Sequence, residues 1–354
     1  MVFATQVVDA DDPHLAQTLD MLAALAARCD ELEVICDRVA RHDLLPNVAF
    51  RTFGARSKAA RAVRFERAIL ASGRPDAFLA HMVPRFLVLA APLYRARRVP
   101  LLLWYTHWNA SPELRLATRL CDAALSVRTG SFPVDTPKAR GIGHAIDLSR
   151  FEARPAAPET DGRLRVLSLG RTEPRKQLGM LLSAVERGAE RGLDLHVEIR
   201  GPQINEGERR HLRDLERRVS ASRLLSERVA IEGPVSRDRV PDLIRAFDVV
   251  ASLTRGDTRG GALDKVVYEA AACAVPVVAC NPYFDDVLGG ARPRLLFRAG
   301  NADDLIGVFE GLRDLSAASR TSLGHELRRR VERQHSSAAW ADRVLAVVRA
   351  LERL

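Results

Sequence analysis

The chain has 354 residues, of which 47% are hydrophobic and 28% are charged, so it is long enough for two domains and its composition excludes a disordered protein. No apolar run approaches the ~20 residues that a membrane-spanning helix needs, and the N-terminus lacks the basic region of a signal peptide. The five cysteines form no metal-spaced or CxxC pair, and an odd number of scattered thiols is typical of a reducing cytoplasm.

Short apolar strands alternate with amphipathic helices along the first half of the chain. This rhythm predicts a parallel sheet covered by helices. The predicted strands span residues 2–8, 32–36, 48–53, 77–81, 101–106 and 123–126. The predicted helices span residues 14–28, 58–71, 85–95 and 112–120.

The second half of the chain restarts the same rhythm, which predicts a second unit of the same kind. Its predicted strands span residues 164–169, 195–200, 229–232, 249–253, 276–279 and 295–297. The polar, proline-bracketed stretch 154–162 is predicted to link the halves, and a last helix is predicted over 337–354. Doubly wound units bind ligands at the carboxyl ends of their strands, so the loops that follow strands are expected to carry the function.

Positive charge is concentrated in one part of the chain. Residues 51–98 hold eleven Lys or Arg against two acidic residues, a surplus of nine that equals the net charge of the whole chain, +9. Such a face attracts an anionic membrane or an acidic ligand, although a solvated arginine-rich surface is the simpler interpretation. Nucleic acid is not expected as a partner, because no nucleic-acid motif is present.

A glycine pair, Gly260-Gly261, opens a predicted helix that carries Glu269. Unsatisfied N–H groups at a helix start attract anions, and a nearby carboxylate is able to accept hydrogen bonds from both hydroxyls of a ribose. The two features together predict a nucleoside-diphosphate site, for which a nucleotide-sugar is the natural ligand. Lys265 lies four residues before Glu269, so a surface ion pair worth only ~0.3 kcal/mol is the alternative interpretation.

A second loop with suitable chemistry is Gly170-Arg171-Thr172-Glu173-Pro174-Arg175-Lys176, which directly follows a predicted strand. Arg171 offers a planar fork and Lys176 a point charge, and both suit diphosphate oxygens. Lysine is rare in this chain, which makes Lys176 and Lys265 more notable. The alternative is a helix-start loop with ordinary surface cations.

Together these motifs resemble those of glycosyltransferase family 4, the retaining, nucleotide-sugar-dependent glycosyl transferases of group 1. The resemblance is carried by Gly170–Lys176, Val229–Val235, Ala246–Val249, Glu269–Val278 and Ile142–Phe151.

The resemblance implies an α/β protein of the GT-B fold, in which two Rossmann-like doubly wound domains face each other across a ligand cleft. Residues 1–155 are expected to form the acceptor-side domain, and residues 156–336 the nucleotide-sugar donor domain. The C-terminal helix, residues 337–354, is expected to cross back and join the first domain.

The resemblance also implies which residues bind the donor. Arg171 and Lys176 would hold the diphosphate and neutralise the charge that develops as it leaves, while Glu269 would bind the ribose. These three residues and His107 are the expected catalytic residues. Further donor contacts are expected from Gly170, Val235, Gly260, Gly261, Ala262, Leu263, Asp264 and Lys265.

Three histidines are expected on the acceptor side of the first domain. His107 follows a buried apolar strand where the family often has a histidine, and it is predicted to contact the acceptor or the sugar and to assist acid–base chemistry. His81 follows the preceding strand, and His14 lies in the first loop. A purely structural role stays open for each of them.

The implied reaction transfers a sugar from a UDP- or GDP-sugar with retention at the anomeric carbon. No metal and no further cofactor are expected, because cationic side chains and a helix terminus supply the electrostatic stabilisation. A small-molecule, a lipid-linked and a polysaccharide acceptor all stay open. The protein is expected in the cytoplasm, at the inner face of the membrane if the basic region 51–98 makes a peripheral contact there.

The chain departs from the family pattern at Gly261, which lies eight residues before Glu269 where the family has the first of two glutamates. This departure leaves open a non-catalytic, nucleotide-binding pseudo-glycosyltransferase subunit, and a nucleotide-sugar epimerase shares the two-domain architecture. Ala145 and Ala274 also lie where family members commonly carry glycine. The Asp-x-Asp pattern of residues 9–11 is interpreted as a polar loop and not as a metal site.

Overall fold

The computed structural model describes residues 1–12, 15–159, 162–256 and 263–353, and these residues divide into two compact units. The first unit comprises residues 1–147 and 334–353. The second comprises residues 148–256 and 263–333. The sequence analysis divides the chain after residue 155, whereas these units divide after residue 147. The functional division into acceptor and donor domains stays a prediction.

The first unit is built on a seven-stranded parallel sheet in the order β3-β2-β1-β4-β5-β6-β7. Its strands are β1 (Val2–Val8), β2 (Leu32–Val39), β3 (Val48–Thr52), β4 (Phe78–His81), β5 (Leu101–Trp104), β6 (Ala123–Ser126) and β7 (Ala139–Gly141). Its helices are α1 (Thr18–Ala26), α2 (Lys58–Ala71), α3 (Pro84–Ala96), α4 (Pro112–Leu120) and the last helix of the chain, α14 (Ser337–Glu352).

Alternation along the strands covers both faces of this sheet. On one face, Leu101 and Leu103 join the core formed with α2, α3 and α4. On the other face, Trp104 meets Trp340 of α14 edge to face, with ring centroids 5.6 Å apart. The C-terminal helix therefore packs on the sheet of the first unit. Among the described residues, no helix is both long and apolar enough to cross a bilayer.

The second unit is built on a five-stranded parallel sheet in the order β10-β9-β8-β11-β12. Its strands are β8 (Arg163–Leu169), β9 (Asp194–Arg200), β10 (Val229–Glu232), β11 (Val249–Ser252) and β12 (Val277–Ala279). Its helices are α5 (Leu178–Glu190), α6 (Glu206–Ala221), α7 (Arg223–Ser226), α8 (Val240–Arg245), α9 (Lys265–Ala272), α10 (Asp285–Leu288), α11 (Arg292–Leu295), α12 (Ala302–Arg313) and α13 (Ala317–Gln334).

Both sheets have the strand order of a doubly wound fold, which confirms the predicted α/β class. In the second sheet the order reverses between β8 and β11, and such a switch point is where doubly wound folds bind ligands. The strand predicted over 295–297 is wrong. Leu295 ends the short helix α11, and only an isolated bridge from Leu296 to Ala279 remains of the expected pairing.

The predicted linker packs against the second unit over its described residues. Arg154 is buried, and its backbone N–H donates to the Cys273 carbonyl at 2.9 Å. The Ala157 N–H donates to the Thr321 hydroxyl at 2.8 Å, and Arg320 donates to the Pro158 carbonyl at 2.9 Å. These long-range hydrogen bonds hold the segment in place, which its polar composition did not indicate.

Candidate functional site

The loop after β8 is shaped by two glycines. The Gly170 N–H donates to the Arg200 carbonyl at 2.9 Å, and a Cβ on Gly201 would lie only 1.8 Å from the Gly170 oxygen. Residue 201 must therefore be glycine for the two loops to meet. Gly170 has φ 137°, and the Lys176 Nζ lies 3.2 Å from where its Cβ would be. The loop thus folds back on itself, and the Lys176 ammonium lies over Gly170, the first residue of the loop.

Lys176 is paired with a carboxylate from the other side of the switch point. Its Nζ lies 2.7 Å from Asp264 Oδ2, and the same oxygen accepts from the hydroxyls of Ser252, at 2.9 Å, and Thr254, at 2.6 Å. Ser252 ends β11, and Asp264 directly precedes α9. Both charged side chains are only 13% exposed. The carboxyl ends of β8 and β11 therefore converge on one largely buried ion pair.

The surroundings of Asp264 favour the ionised form of its carboxyl. Burial alone would raise the pKa of the Asp264 carboxyl, but the Lys176 charge and the hydrogen bonds from Lys176, Thr254 and Ser252 hold this pKa below its usual range. Asp264 therefore stays ionised at neutral pH and fixes the position of the Lys176 ammonium.

Arg171 is paired with Glu208 at the start of α6. Glu208 is almost fully buried, and its carboxylate also accepts from the Ile204 N–H at 2.9 Å and the Asn205 amide at 2.8 Å. The Asn205 Oδ1 in turn accepts from the Glu208 N–H at 2.9 Å, so the two residues cap the helix reciprocally. Burial opposes ionisation of Glu208, but Arg171 and the cap hold its pKa below the usual range. The Arg171 fork is therefore anchored to a helix N-terminus.

The third predicted cation, Lys265, pairs with Glu269 one turn later on α9. Its Nζ lies 3.5 Å from Glu269 Oε1, and both side chains are largely buried. The ion pair of the alternative interpretation is thus formed, although its burial distinguishes it from an ordinary surface pair. Across the described residues, Arg171, Lys176 and Lys265 each have a carboxylate partner.

The other predicted donor residues are less informative. Gly260, Gly261 and Ala262 lie outside the described residues, and so does His14. Leu263 is buried beside Asp264, and Val235 is half-buried in the loop after β10.

Two predicted acceptor-side histidines have contrasting environments in the first unit. His81 ends β4 and is buried, with its ring stacked on Phe3 and its Nδ1 3.1 Å from the Thr5 hydroxyl. Burial lowers the pKa of His81 to about 3, so the ring is neutral at any physiological pH. His107 lies just beyond β5, is exposed, and stacks on Trp108 with ring centroids 5.2 Å apart. Of the two, His107 has the access that contact with an acceptor requires.

Asn281 is a residue that the sequence analysis missed. It follows β12, its side chain is fully buried, and its Oδ1 accepts from the Tyr283 N–H at 3.0 Å. A backbone N–H needs an oxygen acceptor, which fixes the amide orientation and turns Nδ2 away. Nδ2 has no hydrogen-bond partner in the described chain. A buried donor without a partner costs ~1–3 kcal/mol, so Asn281 is a candidate ligand contact.

Asn281 is connected to the Lys176 cluster through its neighbours. A Cβ on Gly256 would lie 2.3 Å from the Asn281 Oδ1, so the backbone after β11 passes directly over the amide. The Cys280 Sγ donates to the Thr254 carbonyl at 3.4 Å, and Gln177 donates to the Leu253 carbonyl. Only a buried, unpaired atom reveals this residue, and no sequence pattern does. Among the described residues, no group of His, Cys, Asp or Glu is arranged to hold a metal ion.

Comparison with known proteins identifies the fold of the chain and a family model that matches one segment of it. Residues 163–312 match the family model described as glycosyl transferases group 1. The whole chain superposes on HepE of Anabaena in complex with UDP and glucose, with a TM-score of 0.74, 15% identity, and 99% of each chain covered. The fold is that of the GT-B glycosyltransferases.

Two further GT-B structures are similar over their full length. Sucrose-phosphate synthase from Thermosynechococcus elongatus has a TM-score of 0.71 and 18% identity, covering 100% of this chain and 99% of that one. WaaG, a glycosyltransferase involved in lipopolysaccharide biosynthesis, has a TM-score of 0.66 and 11% identity, covering 98% and 99%. No curated protein matches the sequence significantly.

The matched segment contains the three cations of the second unit that the sequence analysis predicted for the donor site. Arg171, Lys176 and Lys265 lie within residues 163–312, and so do their partners and Asn281.

Proposed function

We propose that the protein is a retaining glycosyltransferase of family 4 that moves a sugar from a nucleoside-diphosphate sugar to an acceptor hydroxyl without a metal. The observation that carries this proposal is the Lys176–Asp264 pair, which lies at the switch point of a sheet within the matched segment. A UDP-sugar is the first donor to test, because HepE was determined with UDP-glucose, and a GDP-sugar is the second.

In the proposed reaction the bond from the anomeric carbon to the diphosphate breaks as a bond to the acceptor oxygen forms on the same face. The acceptor proton passes to the leaving phosphate oxygen. Lys176 and Arg171 neutralise the negative charge that develops on the diphosphate, and their carboxylate partners keep both cations in place before the donor arrives. Glu269 receives the ribose hydroxyls, and His107 contacts the acceptor or the transferred sugar.

The first unit is proposed as the acceptor side and the second as the donor side. Small-molecule, lipid-linked and polysaccharide acceptors fit equally well with the donor geometry. A cytoplasmic location at the inner face of the membrane follows from the basic region if the acceptor is lipid-linked.

A second candidate is a pseudo-glycosyltransferase subunit that binds a nucleotide without turnover. Two features favour it, namely Gly261 in place of a family glutamate and the pairing of each predicted cation with a carboxylate. An epimerase of the same fold is the third, and it differs by needing no acceptor.

A thermal-shift screen of UDP, GDP, ADP and dTDP and their common sugar conjugates, with and without EDTA, tests the donor site. A ligand at 100 times its Kd adds ~2.7 kcal/mol of stability, which is a shift of several degrees. We expect one base to stabilise the protein equally with EDTA. The shift should disappear in Lys176→Ala and persist in Arg210→Ala, an exposed cation on α6.

Turnover separates the three candidates. A transferase releases nucleoside diphosphate only with an acceptor, an epimerase converts the sugar without one, and a pseudo-enzyme binds and does neither. The proposal of retention is overturned if NMR shows that the product has the anomeric configuration opposite to that of the sugar in the donor. No shift with any nucleotide would overturn the donor site itself.

A further inference from the structure

Helices α2, α3 and α4 form one layer on the sheet of the first unit. Phe65 of α2 stacks on Phe86 of α3 with ring centroids 5.1 Å apart, and both rings contact Phe53. Arg85 of α3 donates to Glu113 of α4 at 2.6 Å. The inner face of the layer is thus a tightly packed apolar core.

The outer face of this layer exposes large apolar side chains on α2 and α4. On α2, Val63 is 48% exposed and Leu70 is 55% exposed, and they lie seven residues apart on the face opposite the buried Phe65. On α4, Leu116 is 44% exposed, again opposite the buried face. On α3, Pro92 is exposed. Three of the chain's exposed large hydrophobic residues therefore lie on two helices of one layer.

The same helices carry a strong positive charge. Within α2, α3 and α4 there are eight Lys or Arg and two Glu, a net of +6. One of the two carboxylates, Glu113, is already paired with Arg85. Lys58, Arg67, Arg115 and Arg119 have no ion pair and no side-chain hydrogen bond with any residue that the structure describes. Their charge is available to a partner.

We propose that the outer face of the α2–α4 layer docks on an anionic lipid bilayer. Val63, Arg67 and Leu70 follow one another at helical spacing, so each apolar side chain that enters the interface has a cation beside it for a lipid phosphate. A helix that lies in the interface needs this combination of an apolar stripe and Lys or Arg. Together with the proposed transfer reaction, on which this last step rests, the surface favours a lipid-linked acceptor among the three classes.

The chemistry of the face favours lipid over nucleic acid or an acidic protein. The residues between the cations are Val, Leu, Pro and Ala, which gain free energy by leaving water but offer no hydrogen bonds to bases. A nucleic-acid surface interleaves cations with aromatic or polar residues. An acidic protein partner would use the charge but not the exposed leucines.

Co-sedimentation of the full chain with vesicles tests the proposal without any nucleotide, so it fails or succeeds independently of the transferase assignment. The probes are vesicles of phosphatidylcholine alone and of phosphatidylcholine with about a third phosphatidylglycerol, an anionic fraction at which each adjacent cation adds to binding. We expect the anionic vesicles to bind at least tenfold more protein, and the binding to weaken as salt is raised.

Two variants resolve the contributions of the face. Leu70→Glu removes an apolar anchor, and the double change Lys58→Glu with Arg67→Glu reverses the charge; each should lower vesicle binding at least tenfold. Ile204→Glu is the matched apolar control, since Ile204 is 49% exposed in the second unit, and Arg217→Glu is the matched charge control. Neither control should change binding.

Three results would overturn the proposal. The first is equal binding to neutral and anionic vesicles, and the second is unchanged binding in both variants of the face. The third is that the protein binds a fluorescent oligonucleotide, that the double variant abolishes this binding, and that anionic vesicles compete poorly for it. This result would make the face a nucleic-acid site.

Discussion

One carboxylate oxygen, Asp264 Oδ2, accepts from the Lys176 ammonium and from two hydroxyls at the switch point of the second sheet. Asp264 and Lys176 are 88 residues apart in sequence, and only the order of the parallel strands brings them together. The proposed donor site therefore has its principal cation held in position before any ligand binds.

Loss of either partner should reduce sugar transfer. Lys176→Ala removes a cation that acts on the leaving diphosphate, and we expect kcat/KM to fall by ~10²–10³-fold. Asp264→Asn keeps an oxygen for the hydroxyls but releases the ammonium, so a smaller loss, ~10-fold or more, is expected. Because the two residues act as a unit, the double variant should be no slower than Lys176→Ala. Asp242→Asn on α8 is the control, and losses that multiply in the double variant would contradict the coupling.

The Glu208 cap should matter for stability more than its exposed neighbour does. Glu208→Ala removes the partner of Arg171 and the acceptor of the Ile204 N–H and the Asn205 amide, and we expect the free energy of unfolding to fall by ~1–2 kcal/mol. Glu206 lies in the same helical turn but is exposed, so Glu206→Ala should lower the free energy of unfolding by less than Glu208→Ala does. Urea unfolding of both variants at neutral pH measures the difference. Equal losses of unfolding free energy in the two variants would show that the buried Glu208 carboxylate contributes no more than an exposed ion pair does.

Asn281 should contact the donor through Nδ2. Asn281→Asp preserves the oxygen that caps the Tyr283 N–H but removes the donor, so we expect calorimetric affinity for UDP-glucose to fall at least ~10-fold at neutral pH. Affinity should recover as pH is lowered, since a protonated carboxyl donates a hydrogen bond and burial raises its pKa. Parallel titration with UDP distinguishes a phosphate contact from a sugar contact.

Asn301→Asp is the matched control for that experiment. Asn301 caps α12, where its Oδ1 accepts from the Asp303 and Asp304 N–H groups in a comparable way, and it is not among the predicted donor contacts. Its substitution should change neither the affinity nor the pH dependence. If Asn281→Asp binds both ligands as the wild type does, the buried amide is a structural cap and nothing more.

Ala274 occupies a position that glycine usually fills. Its φ is 56°, and it follows α9, where the Val275 N–H donates to the Ala270 carbonyl at 3.0 Å to close the helix. Left-handed backbone costs alanine ~1–2 kcal/mol, which offsets the methyl burial and chain entropy that Ala274→Gly would lose. The free energy of unfolding of Ala274→Gly should therefore lie within ~0.5 kcal/mol of the wild-type value.

Ala272→Gly provides the comparison, because this alanine lies within α9 itself. There the same change should cost ~1–2 kcal/mol, since helix propensity and methyl burial are both lost. Equal losses at the two positions would contradict the strain at Ala274.

His81 should make stability depend on pH. Its pKa is lowered to about 3 in the folded state, against ~6.5 when unfolded, so the unfolded chain binds a proton first as pH falls. Stability is fully present above pH ~6.5 and is lost progressively toward pH 3, by about 2 kcal/mol between pH 7 and pH 5. Urea unfolding of the wild type and of His81→Asn measures this. The variant should be less stable at pH 7 but should lose less on acidification, and parallel curves would contradict the assignment.

The sequence by itself determined those features whose causes are local. The helix over 58–71 was predicted with its observed bounds, and so was that over 112–120. Their bounds depend on the cap residues Ser57 and Ser111 and on the apolar spacing, which all lie within a few turns of the helix itself. The doubly wound class followed from alternation of strands and helices, and the positive φ at Ala145 and Ala274 agrees with the glycine that the family resemblance implies at these positions.

Only the tertiary structure decided which charges meet. Arg171 and Glu208 are 37 residues apart, and no pattern in either segment indicates the other. The orphaned Asn281 amide depends on how the backbone passes Gly256, and the strand predicted at 295–297 failed because apolar runs of three residues fit a helix end equally well. Local preferences determine elements, whereas partners across a sheet depend on strand order, and strand order is a property of the whole packed unit.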